Sequence, residues 1–128
     1  MTTEMKLFQN PIIRDHHRAI NNAGDEAETR FPAFRAYRQT SLKGSEGWKS
    51  EYFSFYNHVA NFNIPHQGLD TESILEDVFE MSNLGPRSAR SGLMQRLAPQ
   101  HSAQVGDIIQ CDNLYYMVNP TGFARVNI

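Results

Sequence analysis

The chain has 128 residues, of which 40% are hydrophobic and 20% are charged, and its formal net charge is −2. This length fits one domain, and the composition differs from that of disordered proteins. No apolar run is long enough to cross a membrane, and the first ten residues lack the apolar stretch of a secretory signal. The single cysteine, Cys111, cannot form an internal disulfide, which is typical of a reducing cytoplasm. We therefore expect a cytoplasmic protein without a membrane segment.

The charge balance argues against a protein that coats nucleic acid along its length. Lys and Arg together number 12, and Asp and Glu together number 14. A chain of this kind lacks the positive field that non-specific nucleic-acid binding uses. A local basic patch remains compatible with the balance.

The first thirty residues are predicted to form a separate, partly helical N-terminal arm. Pro11 stands where a helix accepts proline, at its first position, and Gly24 stands just past the end of the same helical stretch. The sequence leaves open whether this arm packs on the rest of the chain or reaches outward. Residues 31–128 are predicted to form the single domain to which the arm is attached.

Two strands are predicted in the first half of that domain. Residues 31–40 alternate between side chains that suit a buried face and side chains that suit solvent, which indicates a half-buried strand. Residues 41–50 contain Gly44 and Gly47 among polar residues and are predicted to form a surface loop. Residues 51–62 are rich in aromatic side chains on both faces, which favours a central strand.

The second half of the domain holds the clearest helix signal and a run of short strands. Asp70 or Thr71 is a suitable N-cap for a helix over 70–81, whose apolar stripe faces one side. The stripe comprises Ile74, Leu75, Val78 and Phe79. Residues 105–128 are predicted to form short strands whose links are too short for parallel crossovers. We therefore predict an α+β fold: an antiparallel sheet of four to five strands with one main helix packed on one face.

Three segments of the C-terminal part resemble the YodL-like domain family. They are LEDVFEMSN at 75–83, HSAQVGDII at 101–109 and YYMVNPTGF at 115–123. The family pattern is a Leu-Glu-Asp helix, a Ser-rich lead into a Gly-Asp-hydrophobic strand, and a closing aromatic pair with Gly-Phe. Such domains occur as small proteins and within large proteins of phages, plasmids and other mobile elements. The resemblance implies an α+β fold and a mobile-element setting, and it implies no particular activity.

Residue types that carry catalysis or bind metals are scattered along the chain. The neighbours His16 and His17 point about 100° apart on a helix and cannot both chelate one ion. Cys111 lies beside Asp112, whose negative charge raises a thiol pKa and disfavours a nucleophilic thiolate. Asp107, at a strand start, is predicted to cap a turn. We therefore predict that the protein is not an enzyme and has no catalytic residue, no metal site and no cofactor.

One loop carries the candidate binding residues. The loop over 84–100 contains Arg87, Arg90 and Arg96 and no acidic residue. Guanidinium groups bind phosphate and carboxylate groups through paired hydrogen bonds. The sequence therefore predicts a partner-binding site at these three arginines.

Three functions follow from these residues and from the resemblance. The first is a small non-enzymatic protein of a phage or other mobile element that binds and modulates a host protein, for example in counter-defence. The second is an RNA- or DNA-contacting module in which the three arginines work with an exposed Tyr115 or Tyr116 that stacks on a base. The third is a structural subunit that assembles through edge strands or the N-terminal arm, and its oligomeric state stays open.

Overall fold

The computed structural model describes residues 2–65, 70–84, 94–99 and 101–128. The strands are β1 (Thr2–Gln9), β2 (Asn57–Pro65), β3 (Met94–Arg96), β4 (Ile108–Cys111), β5 (Leu114–Val118) and β6 (Phe123–Val126). The α-helices of this part of the chain are α1 (Ile12–Ala23), α2 (Ala27–Arg30), α3 (Pro32–Lys43) and α4 (Thr71–Leu84). Short 3₁₀ turns cover Gly24–Glu26, Gly44–Gly47 and Ser50–Phe55.

All six strands belong to one antiparallel sheet with the order β3-β2-β1-β4-β5-β6. The predicted α+β class and the antiparallel sheet are therefore confirmed. The described sheet has six strands in place of four or five, and four helices replace the one main helix and helical arm that we predicted. No helix of the described segments is long and apolar enough to cross a bilayer.

The N-terminal strand β1 lies in the interior of the sheet. It pairs with β2 over its full length and with β4 through residues 5–8. Our prediction that residues 1–30 form a separate arm is wrong for this segment. The physical reason is the alternation of buried Met5 and Leu7 with Glu4 and Lys6, which is the pattern of a strand with one buried face.

The helix predicted after Pro11 is confirmed as α1, and it packs against α3. Its buried residues Ile12 and Ile20 form one apolar cluster with Ala27 of α2 and with partly buried side chains of α3, among them Phe34. The helical part of the predicted arm is thus a layer of the fold, packed on the segment that follows it.

Residues 31–40, which we predicted as a strand, form most of helix α3 instead. Pro32 occupies the first helical turn, and Gly44 ends the helix with a φ of 60°. The buried residues Ala36 and Thr40 are four apart, so they share one helix face. The apparent alternation was a weaker signal than this spacing and these end residues.

Residues 51–62, which we predicted as one strand, form a 3₁₀ turn followed by a strand. The first part is the 3₁₀ turn Ser50–Phe55, which buries Tyr52, and the second part lies in β2. Aromatic residues of the turn pack on the sheet face opposite α4. This aromatic cluster combines buried Tyr56, Ile108 and Met117 with partly buried rings; those rings are Phe8, Trp48, Phe53 and Tyr115.

Helix α4 and the C-terminal strands confirm the predictions for 70–81 and 105–128. The Asp70 side chain caps the helix, because its Oδ1 accepts a hydrogen bond of 2.8 Å from the Ser73 N–H. The stripe of α4 packs on the sheet, with Phe79 only partly buried. The buried residues of the main core are Met5, Leu7, Val59, Ala60, Phe62, Ile64, Ile74, Leu75, Val78, Met81, Ile109 and Val118.

Candidate functional site

Of the three predicted binding arginines, the structure places one. Arg87 and Arg90 lie outside the described residues. Arg96 is exposed at the end of β3, an edge strand of the sheet. The partner-binding role of the three arginines stays a prediction.

The tyrosines that we paired with these arginines lie several strands away from Arg96, and only Tyr116 shares its face of the sheet. Arg96 stands opposite Ala60 of β2, and the same cross-strand row continues to Tyr116 of β5, on the α4 face. Tyr115 faces the other side and packs edge-on against Phe53, with ring centres 5.6 Å apart. Four strand spacings separate β3 from β5, about 19 Å. One stacked base would not bridge Arg96 and either tyrosine.

A cleft between α3 and the residues that follow it brings charged and aromatic side chains together. Its volume is about 340 Å³, which is at the small end of ligand-binding sites. We call it the α3 cleft. It is lined by Arg35, Gln39, Glu46, Gly47, Trp48, Lys49 and Tyr52.

The turn that forms one wall of the α3 cleft is attached to the β5–β6 connection. The backbone N–H of Ser45 donates to Asn119 Oδ1 at 2.8 Å, and Asn119 Nδ2 donates to Ser45 Oγ at 3.1 Å. A Cβ on Gly44 would lie 2.3 Å from Asn119 Oδ1, and Gly44 also has a positive φ. Only glycine fits this position without a shift of the turn.

The same wall is held against α3 and against the C-terminus. A Cβ on Gly47 would lie 2.3 Å from the carbonyl oxygen of Gln39, so the turn and the helix are in direct backbone contact. The indole N–H of Trp48 donates to the carbonyl oxygen of Asn127 at 2.8 Å. The Trp48 ring stands edge-on to Tyr52 at 6.1 Å between centroids. The cleft is therefore preformed, and binding there requires little ordering of its walls.

The charges of the α3 cleft favour an anionic occupant. Among the described residues, neither Arg35 nor Lys49 makes an ion pair, and Lys49 Nζ lies 6.0 Å from the centre of the Tyr52 ring. On the same helix, Arg38 pairs with Glu28 at 3.7 Å. The two cleft cations are thus available to a ligand, whereas the charge of Arg38 is offset within the protein.

The α3 cleft was missed from the sequence because α3 was predicted as a strand. In a strand over 31–40, Arg35 has no fixed relation to Trp48, which was predicted in a loop. Pro32 followed twelve residues later by Gly44 is the signal that indicates a helix here. With that helix in place, a basic residue on α3 and the aromatic residues after Gly47 become neighbours.

Asp107 is the most buried carboxyl of the described residues and is held in a polar network. Its Oδ2 accepts hydrogen bonds from the Gln104 N–H at 3.0 Å and from Gln9 Nε2 at 2.9 Å. The predicted turn cap is confirmed by the first of these bonds. Burial raises the pKa of the Asp107 carboxyl to about 8, although the two hydrogen bonds act in the opposite direction.

The network around Asp107 joins distant parts of the chain. Gln9 also donates to the carbonyl oxygen of His101 at 2.9 Å and accepts from the His101 N–H at 3.2 Å. The Tyr56 hydroxyl donates to the carbonyl oxygen of Gly106 at 2.6 Å. These bonds fasten the loop before β4 to β1 and to the aromatic cluster, which is a structural role for the carboxyl.

Among the described residues we find neither an activated cysteine nor a cluster of metal ligands. Partial burial, and then the negative charge of Asp112, raise the pKa of the Cys111 thiol above its ordinary value. No group of three or more His, Cys, Asp or Glu in the described segments could hold a metal ion.

No family model, curated protein or solved structure matches this chain. The resemblance to the YodL-like family therefore stays a prediction, based on the three motif segments alone. The three motif segments meet in space, because Ile109 pairs with Tyr116 in the sheet and lies in the main core with Leu75. Phe79 of α4 and Phe123 of β6 pack against the same core and line one shallow groove of about 240 Å³.

Proposed function

We propose that this protein is a small non-enzymatic binding protein of a phage or other mobile element that binds and modulates a host protein. The observation that carries the binding role is the α3 cleft, a preformed cleft with two cations that have no ion pair among the described residues. Preformed concave sites with exposed charges and aromatic walls suit recognition of a partner.

The environment of the two most chemically distinctive residues supports a non-enzymatic role. The Asp107 carboxyl is buried and engaged with Gln9 and Gln104, so it serves the turn before β4. The raised pKa of the Cys111 thiol keeps it protonated near neutral pH, which is unfavourable for a nucleophile.

The mobile-element setting rests on the resemblance to YodL-like domains, and the cytoplasmic location rests on the single cysteine. Modulation of a host protein, for example in counter-defence, suits a short chain that acts by binding. The set Arg87, Arg90 and Arg96 is the second proposed contact surface, and the test below separates it from the α3 cleft.

The test is a pull-down from a lysate of the host cell, with and without nuclease. The bait variants are Arg35→Gln/Lys49→Gln in the α3 cleft and the matched pair Arg18→Gln/Arg125→Gln, which removes the same charge from exposed positions elsewhere. We expect one host protein to survive nuclease treatment, to be lost with the cleft pair and to be retained with the matched pair.

A third bait separates the two proposed surfaces. If Arg87→Ala/Arg90→Ala/Arg96→Ala loses the partner and the cleft pair keeps it, contact belongs to the arginine set and not to the cleft. Retention that disappears with nuclease assigns the protein to nucleic-acid binding instead. A bait that retains nothing under either condition contradicts the proposed function.

A further inference from the structure

The α3 cleft offers charge and aromatic surface within one small volume. Arg35 projects from α3, and Lys49 follows the turn that forms the opposite wall. Tyr52 is 4% exposed and its ring lies under Lys49, whose Nζ is 6.0 Å from the ring centre, and Trp48 is half-buried in the same lining. A volume of about 340 Å³ accommodates a few side chains of an extended segment, and it is too small for a folded surface.

We propose that the α3 cleft binds a short acidic segment of a partner protein, with a carboxylate between Arg35 and Lys49 and a neighbouring aromatic side chain against Trp48. This inference rests on the proposed function, and it names the chemistry of the partner at that site. The carboxylate pairs with a guanidinium in a planar, bidentate geometry, and an ammonium completes the charge. The aromatic ring gains area by packing against an indole that is already fixed in place.

Trp48 is suited to this role because its polar atom is already satisfied. Its indole N–H donates to Asn127, so a ligand ring that covers Trp48 leaves no buried donor unpaired. Its ring is also held by a second edge-on contact with Tyr56, at 5.7 Å between centroids. An apolar partner side chain therefore meets a rigid surface.

The local charges favour a peptide over a nucleic acid. Helix α3 carries three basic residues: Arg35 in the cleft, Arg38, whose charge is offset by Glu28, and Lys43 in the last turn. The chain as a whole has a net charge of −2, which repels a long polyanion. With two cations against the single carboxylate of Glu46, the cleft has a net charge of +1, which matches one ligand carboxylate.

Glu46 allows a test of whether substitutions at the cleft change the binding affinity in the direction that its charges predict. It lines the same cleft, and its negative charge opposes an acidic ligand. Loss of its charge should therefore tighten binding, whereas loss of charge at Arg35 or Lys49 should weaken it. A site that binds by apolar contact alone would not respond with opposite signs to these neutral substitutions.

The experiment uses Trp48 itself as the reporter, since it is the chain's single tryptophan. The probe is the peptide acetyl-Asp-Phe-Asp-amide, titrated while Trp48 fluorescence is followed. The matched peptides are acetyl-Asn-Phe-Asn-amide, which lacks the charge, and acetyl-Asp-Ala-Asp-amide, which lacks the ring. Adenosine monophosphate is the nucleotide arm.

We expect saturable binding of the acidic aromatic peptide and weaker binding of both matched peptides. Arg35→Gln and Lys49→Gln should each weaken binding by about two- to fivefold, as exposed charge pairs do. Glu46→Gln should tighten it by a similar factor, and Arg18→Gln, an exposed position outside the cleft, should leave it unchanged. Higher salt should reduce all of these differences.

Several results would overturn the assignment. Equal binding of the charged and uncharged peptides removes the carboxylate from the proposal, and tighter binding of adenosine monophosphate assigns the cleft to nucleotides. A weaker complex with Glu46→Gln contradicts the sign argument. If the peptide binds in the expected charge order but the pull-down retains no host protein, the ligand class stands and the proposed function fails. If the cleft pair abolishes host capture but no peptide binds, the proposed function stands and this ligand class fails.

Discussion

Asp107→Asn should stabilise the folded protein at neutral pH. The folded state raises the pKa of this carboxyl to about 8 from an ordinary value of 3.8. Between these two values the folded protein holds a proton that the unfolded chain has released. The unfolded state therefore binds fewer protons, and the free energy of unfolding decreases as pH rises through this window.

The size of the effect follows from the same two values. Each pH unit above 3.8 costs the folded protein about 1.4 kcal/mol, up to a pH near 8. At pH 7 the upper limit is about 4 kcal/mol. Asparagine keeps an oxygen that accepts from Gln104 and Gln9, and it cannot ionise, so it should remove the cost and retain the turn.

The assay is urea unfolding at pH 5, 6, 7 and 8, followed by Trp48 fluorescence and by circular dichroism. Because other groups titrate in both proteins, the informative quantity is the difference between Asp107→Asn and the original chain at each pH. That difference should grow by up to about 1.4 kcal/mol per pH unit. Asp25→Asn carries the same chemical change at an exposed position outside this network and is the matched control. A difference that is constant with pH, or an asparagine variant less stable at pH 7, would refute the reasoning.

Three further substitutions test the packing of the core and of the α3 cleft, each by urea unfolding. Phe79→Ala should reduce the free energy of unfolding by about 2–3 kcal/mol, below the cost for a fully buried ring, because Phe79 is only partly buried. Gly44→Ala should cost about 1–3 kcal/mol more than Gly24→Ala: both glycines have a φ near 60°, but only at Gly44 would the new Cβ meet a neighbour. Asn119→Ala should cost about 1–2 kcal/mol because it removes both hydrogen bonds to Ser45, and equal stability would contradict the role of Asn119 in holding the turn.

Helix α4 and the three C-terminal strands were predictable because their signals are local. Asp70 supplies the cap, the apolar stripe supplies the buried face, and the β4–β5 turn contains Asp112 with a φ of 55°. Each of these features is contained within a few residues. The same holds for α1, which begins after Pro11.

The placement of β1 was not predictable in this way. Its partners, β2 and β4, lie far along the chain, and no local sequence signal near the N-terminus indicates which strands will pair with it. Strand pairing is a tertiary property, so the alternation of Met5 and Leu7 acquires its meaning only with the neighbouring strands in place. Helix α3 differs from β1 because its end signals, Pro32 and Gly44, are local, and they outweigh the approximate alternation of residues 31–40.

The α3 cleft depends on the unpredicted helix α3 and on contacts between residues far apart in sequence, which explains why the candidate site could not be found from a motif. Arg35 comes from α3, Trp48 from the segment after the turn, and the walls are fastened by Asn119 and Asn127 near the C-terminus. The fastening hydrogen bonds join residues 74 and 79 positions apart in sequence. A peptide that contains only α3 and the turn would lack the β5–β6 connection that fixes the wall. The proposed binding surface therefore requires the β5–β6 connection, and its affinity for the acidic peptide should fall in a Trp48 fluorescence titration of Asn119→Ala, which detaches the turn.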